Sequence, residues 1–230
     1  MNVSKNLLVI VVLTSFLLPA WAQDDGLAVV EGGENLEKVK RASFRDTYVN
    51  TGADFSKYNK LYLGDALFDY RDVGPAERTR GYSAMMSNRT VFGISDEDRQ
   101  TFEDIVSEAF MKEIVKGKRF TVTDTIDDQT IIMRGGVVDI VSKVPPRFVG
   151  RSEVYLASVG EVTLFLEFLD GKTGEVLARI SERRSLGSNR GTIDMWSMPA
   201  NSVTIRADIS RWATSTARRL RKELDDAIGE

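Results

Sequence analysis

Between residues 160 and 183 the chain reads GEVTLFLEFLDGKTGEVLARISER, in which Val162, Leu164, Leu166 and Phe168 alternate with Glu161, Thr163, Phe165 and Glu167. A repeat of two is the spacing of a strand with one buried face, because successive side chains point to opposite sides of a sheet. Residues 170–174 hold an Asp-Gly pair and a second glycine, which supply the positive φ angles of a short hairpin loop. Setting Leu169 opposite Glu175 places Phe168 against Val176, Leu166 against Ala178 and Leu164 against Ile180, so both strands send apolar residues to one side. Further strands are predicted at 60–67, 120–123 and 130–144. Gly135 and Gly136 inside the last of these predict a bulge, and Pro145 and Pro146 end it.

Helical spacing appears twice. Phe102, Ile105, Val106, Ala109, Phe110 and Ile114 repeat at the period of a helix that opens on Ser95 as N-cap, with Asp98 as its capping-box partner, and stops at Gly117. A second helix is predicted from about residue 202 to 228, with Ile205, Ile209, Trp212, Thr216, Leu220, Leu224 and Ala227 on one stripe and a run of arginines on the other. Residues 68–94, 147–158 and 184–202 show no periodicity. The order strand, helix, two strands, hairpin, helix predicts an α+β fold: a single antiparallel or mixed sheet of about five strands, with two long amphipathic helices packed on one face. With the first two strands parallel, the 147–158 and 184–202 segments are expected at one end of the sheet and the 68–94 segment at the other.

The N-terminus departs from this pattern. Lys5 precedes an unbroken apolar run at 7–18, followed by Pro19 and the small-x-small triplet Ala20, Trp21, Ala22. This is the layout of a secretory signal peptide over residues 1–22, cleaved before Gln23. The run is well short of the roughly 20 residues a spanning helix needs, so no transmembrane segment is expected in the mature chain. Residues 23–59 read as an extended N-terminal arm pinned by Leu27, Val29, Val30, Phe44 and Tyr48, and residues 60–230 as a single α+β domain. At 230 residues, 42% hydrophobic and 28% charged, the chain has the composition of an ordinary globular domain. Its formal charge of −3 argues against a nucleic-acid partner.

Four stretches together resemble a known family. Asp25, Gly26 and Leu27 soon after the leader, YVNTGADFSKY at 48–58, GEVTLFLEFLDGKTGE at 160–175, and Trp212 with Ala213 are similar to domain of unknown function 3313. The resemblance implies a bacterial envelope protein; many members are predicted lipoproteins, and no activity is established for them. Gln23 stands where a lipidated cysteine would follow the leader, so an exported protein, periplasmic or peripherally envelope-associated, is the expectation.

Candidate chemistry is sparse. The chain has no histidine and no cysteine, which removes the commonest general base, the commonest zinc ligands and the thiol nucleophile. Gly171, Lys172 and Thr173 mimic the end of a phosphate-binding loop, yet Leu166 occupies the position of its first glycine. The paired acids Asp24-Asp25, Asp127-Asp128 and Asp225-Asp226 lack the spacing of a calcium loop. No catalytic, cofactor-binding or metal-binding residue is therefore assigned. A basic and aromatic set remains: Arg147, Phe148, Arg151, Arg183, Arg184, Arg190, Trp196 and Met198, residue types enriched where a partner is gripped. It predicts a non-enzymatic binding or accessory module for an envelope partner, whether protein, cell-wall polymer or anionic lipid. The alternatives are a carboxylate-dependent envelope enzyme and a structural subunit of an envelope complex.

Overall fold

The computed structural model describes residues 35–73, 91–144, 155–156, 158–187, 198–199 and 201–226. In chain order these form β1 (Leu36–Lys38), β2 (Asp46–Asn50), β3 (Lys60–Tyr70), α1 (Asp96–Ile114), β4 (Thr121–Val122), β5 (Thr130–Ser142), β6 (Tyr155–Leu156), β7 (Gly160–Asp170), β8 (Val176–Leu186), β9 (Met198–Pro199) and α2 (Ser202–Asp226). Seven strands make one mixed sheet in the order β1-β2-β8-β7-β5-β3-β4, and β6 pairs with β9 in a separate ribbon. The sheet is wider than the five strands expected because β2, inside the stretch read as an arm, pairs with β8, and β1 from the same stretch pairs with β2. The leader at 1–22 and the anchors Leu27, Val29 and Val30 lie outside the described residues.

The hairpin forms with its apolar residues on one side, in a different register. Leu169 pairs with Val176, Phe168 with Ala178, Leu166 with Ile180 and Leu164 with Glu182, with an irregularity between Phe168 and Leu169. The turn adds one residue and the irregularity beside it a second, so the partners shift by two along most of the ladder, and an even shift leaves every side chain on its original face. The paired glycines do mark a register shift, but toward β3: the pairing passes from Leu63–Met133 to Ala66–Gly135, so the extra residue lies on β3. β5 and β7 stay in register from Ile131 to Val138, and the break comes at Asp139 and Ile140. At Gly136 the reason for glycine is space: a Cβ there would lie 1.8 Å from the Leu67 carbonyl oxygen on β3.

Both helices cover the same face. Leu61, Ile131, Leu164, Leu166, Phe168 and Ile180 pack with Ile114 of α1 and Leu220 of α2. Toward the other end, Val137, Ile140 and Val162 pack with Phe102, Val106, Ile209 and Trp212. The Phe102 and Trp212 rings stack at 6.5 Å between centroids, 19° apart. Ser95 caps α1 as its sequence predicts, accepting from the Asp98 N–H at 3.2 Å.

One topological expectation is corrected. β3 and β5 are parallel, so both finish at the same end; β7, antiparallel to β5, starts there, and β8 finishes there. Cross-links at that end confirm it: Phe92 N donates to Ser142 O at 2.8 Å, Lys143 N to Val159 O at 2.9 Å, and Val159 N to Leu186 O at 2.7 Å. The described residues flanking 74–90 therefore stand at the same end as those flanking 145–154 and 188–197. Two parallel strands joined through a helix cannot have their following loops at opposite ends.

Candidate functional site

The face of the sheet turned away from the helices carries the side chains that alternate with the core set. One row runs across five strands: Lys38, Tyr48, Arg179, Glu167 and Arg134 are neighbours in register. Within it Glu167 accepts from Arg179 Nη2 at 2.6 Å and from Arg134 Nε at 2.9 Å. Nearer the end where the three segments leave lies a second network. Asp139 takes a bidentate grip from Arg71, at 2.6 Å from Nε and 2.7 Å from Nη2, and a further bond of 2.7 Å from Arg183 Nη1. Arg183 Nη2 reaches Glu161 Oε2 at 2.9 Å, and Lys143 Nζ reaches Glu161 Oε1 at 2.7 Å. Asp139 sits at the β5 bulge with φ of 54°, left-handed backbone that aspartate tolerates better than most side chains. The bulge places its carboxylate between a residue just past β3 and one on β8.

The helix-facing side has its own ionic centre. Glu182 is buried, and burial alone would raise its pKa; the bonds from Arg219 and Arg184 outweigh that and hold it below the usual carboxylate range. Arg184 Nε lies 3.0 Å from Glu182 Oε2, and Arg219 closes on the same oxygen while its guanidinium rests 4.4 Å from the Phe44 ring centroid. Glu161 is lowered chiefly by the bond from Lys143 and then by that from Arg183. These carboxylates are fixed counter-ions, ionised at neutral pH.

Against this geometry the candidate arginines separate. Arg183 and Arg184 are adjacent on a strand and so point to opposite faces; each is engaged by carboxylates, Arg183 by Asp139 and Glu161 and Arg184 by Glu182. They do not form one patch. Arg147, Phe148, Arg151, Arg190 and Trp196 lie outside the described residues. Met198 begins β9, which pairs antiparallel with β6, Leu156 opposite Met198 and Tyr155 opposite Pro199. That pairing links the stretch following Arg147, Phe148 and Arg151 to the stretch following Arg190 and Trp196.

Two features escaped the sequence reading. Asp139 left no local signal, since its role comes from a bulge and two partners far along the chain. The basic run around residues 38–45 was visible as composition, but it was folded into the arm. Of the acidic pairs, Asp127 is held by Lys60, then by Thr130 and the Gln129 N–H, bringing its pKa down to about 2. Asp225 accepts the backbone N–H groups of Lys118 and Arg119 at 2.8 and 3.1 Å. Among the described residues no group of three or more acids is placed to hold a metal ion, and no helix is long and apolar enough to cross a membrane.

No family model and no curated protein matches this chain. Solved structures do. A PelC dodecamer from Paraburkholderia phytofirmans is similar at 8% identity and a TM-score of 0.31, over 72% of this chain and 89% of that one. A neuraminyllactose-binding hemagglutinin homolog from Helicobacter pylori aligns at 13% identity and a TM-score of 0.36, over 73% and 88%. A minor lipoprotein from Acinetobacter baumannii aligns at 14% and 0.27, over 72% and 92%. Likeness at this level carries no argument about function.

Proposed function

We propose that this chain is an exported cell-envelope protein, of the kind that domain of unknown function 3313 comprises, and that it binds an anionic or amphipathic envelope partner without turning it over. The observation that carries the reading is the β6–β9 pairing at the end of the sheet where the strands bracketing three irregular segments all terminate. It pairs Tyr155–Leu156, which follow Arg147, Phe148 and Arg151 in the chain, with Met198–Pro199, which follow Arg190 and Trp196. Arg183 and Arg184 serve as scaffold for this end rather than as free grips, because their guanidinium groups are already bonded. Export rests on the leader-like composition of residues 1–22. The reading as a binding module rests on the absence of histidine and cysteine and on carboxylates committed to cations.

The test is retention of the protein on isolated envelope material. Replacing Arg147, Arg151 and Arg190 together by alanine is expected to weaken retention about tenfold or more, the scale of losing interface arginines. Unchanged retention with an unchanged melting curve removes the proposal.

A further inference from the structure

The β1–β2 connection, VKRASFR at 39–45, lies between Lys38 and Asp46. Residues 38–46 hold four cations, Lys38, Lys40, Arg41 and Arg45, against one carboxylate, in a chain whose formal charge is −3. All four cations are exposed. Lys38 Nζ is paired with Asp46 Oδ1 at 2.6 Å, whereas Lys40, Arg41 and Arg45 have no ion-pair partner among the described residues.

The loop beneath these cations is clamped. Val39 N donates to Thr47 O at 2.9 Å, Ser43 N to Glu223 Oε1 at 2.6 Å, and Ser43 O accepts from Arg219 Nη1 at 3.1 Å. Phe44, 3% exposed, is buried in the core under Arg219. The cations thus project from a fixed scaffold, and a partner does not have to order the backbone first. The carboxylates around the loop are engaged: Asp46 by Lys38, Glu182 by Arg219 and Arg184, Glu223 by the Ser43 N–H. Glu37, between Leu36 and Lys38 on β1, points to the face opposite Lys38. The loop and Glu182 wall a shallow cleft of about 450 Å³. Val39, 39% exposed, stands among the cations.

Clustered cations on a rigid loop with an exposed apolar side chain between them suit an anionic lipid surface: phosphate oxygens meet the charges while the valine meets the boundary of the acyl chains. A long polyanion would instead call for a track of cations, and here they are confined to nine residues. We infer that the β1–β2 loop docks the protein on an anionic phospholipid surface through Lys40, Arg41 and Arg45, with Val39 at the contact. The inference does not depend on the segments invoked under Proposed function.

Co-sedimentation of the full chain with vesicles tests it, comparing mixed phosphatidylglycerol and phosphatidylcholine with phosphatidylcholine alone, so that any partitioning by the apolar residues 7–18 cancels. The expected result is a preference for the anionic vesicles that falls about a hundredfold in Lys40→Ala/Arg41→Ala/Arg45→Ala, roughly fivefold per cation. Val39→Ser, which leaves the charge of the loop unchanged, is expected to weaken binding to the anionic vesicles several-fold. Lys112→Ala/Lys118→Ala/Lys172→Ala removes equal formal charge from exposed positions elsewhere and is expected to behave as wild type. Any of three results overturns the inference: no preference for anionic vesicles in the wild type, an equal loss in the control triple, or capture by heparin beads without a vesicle preference.

Discussion

The Asp170 side chain is 6% exposed and accepts four hydrogen bonds. Its Oδ2 takes Tyr58 OH at 2.7 Å and Lys57 Nζ at 2.9 Å, and its Oδ1 takes the N–H groups of Lys172 at 2.7 Å and Thr173 at 3.0 Å. Burial would raise this carboxyl; the four donors outweigh it and depress the pKa well below the usual range. A carboxylate so placed accepts only, and an amide turns one side into a donor facing donors. Asp170→Asn is therefore expected to lose about 2–4 kcal/mol of stability, and Tyr58→Phe about 1–2, read as shifts of the urea midpoint. A loss below about 0.5 kcal/mol for Asp170→Asn would show that the knot holds nothing. This is also what joins two of the stretches on which the family resemblance rests, 48–58 and 160–175. The turn was legible because Asp-Gly is a local signal; its buried anchor was not, because Lys57 and Tyr58 lie over a hundred residues away.

At the scale of elements, β5 shows how far a pattern reading reaches. Its length and its β-branched character were evident, and the glycine pair was rightly singled out. Its meaning was not, because the pressure on Gly136 comes from the backbone of β3, which no property of β5 announces. A Cβ 1.8 Å from a carbonyl oxygen has no rotamer by which to escape, so Gly136→Ala is expected to cost about 3 kcal/mol or more in chemical denaturation. Gly93→Ala, with nothing within 4 Å of the added atom, is expected to stay within about 0.5 kcal/mol of wild type. Equal effects at the two sites would contradict the packing. The helices were the most legible elements, since caps and a 3.6-residue stripe are both local.

For the whole molecule, the charge network sets the response to pH. The resolved carboxylate shifts, at Asp54, Glu113, Asp127, Glu161, Asp170 and Glu182, are all downward. A carboxyl with a lower pKa folded than unfolded adds stability that is complete above its unfolded value near 4 and drains away as pH falls through the folded value. With no histidine or cysteine to titrate near neutrality, the urea midpoint is expected to be level from about pH 6 to 8 and to fall steadily below about pH 4.5. A midpoint that rises on acidification would refute this account of the carboxylates.

The alternation in β7, the two helix stripes, the cap at Ser95 and the leader-like N-terminus were determined by the sequence itself, because each is encoded within one or two turns of chain. The tertiary structure alone decided the hairpin register, the joining of β1 and β2 to the sheet, the single end from which three segments depart, and the separation of Arg183 from Arg184. All of these depend on which distant backbone comes to lie alongside, and strand pairing across a sheet obeys hydrogen-bond geometry and space rather than any local run of residues.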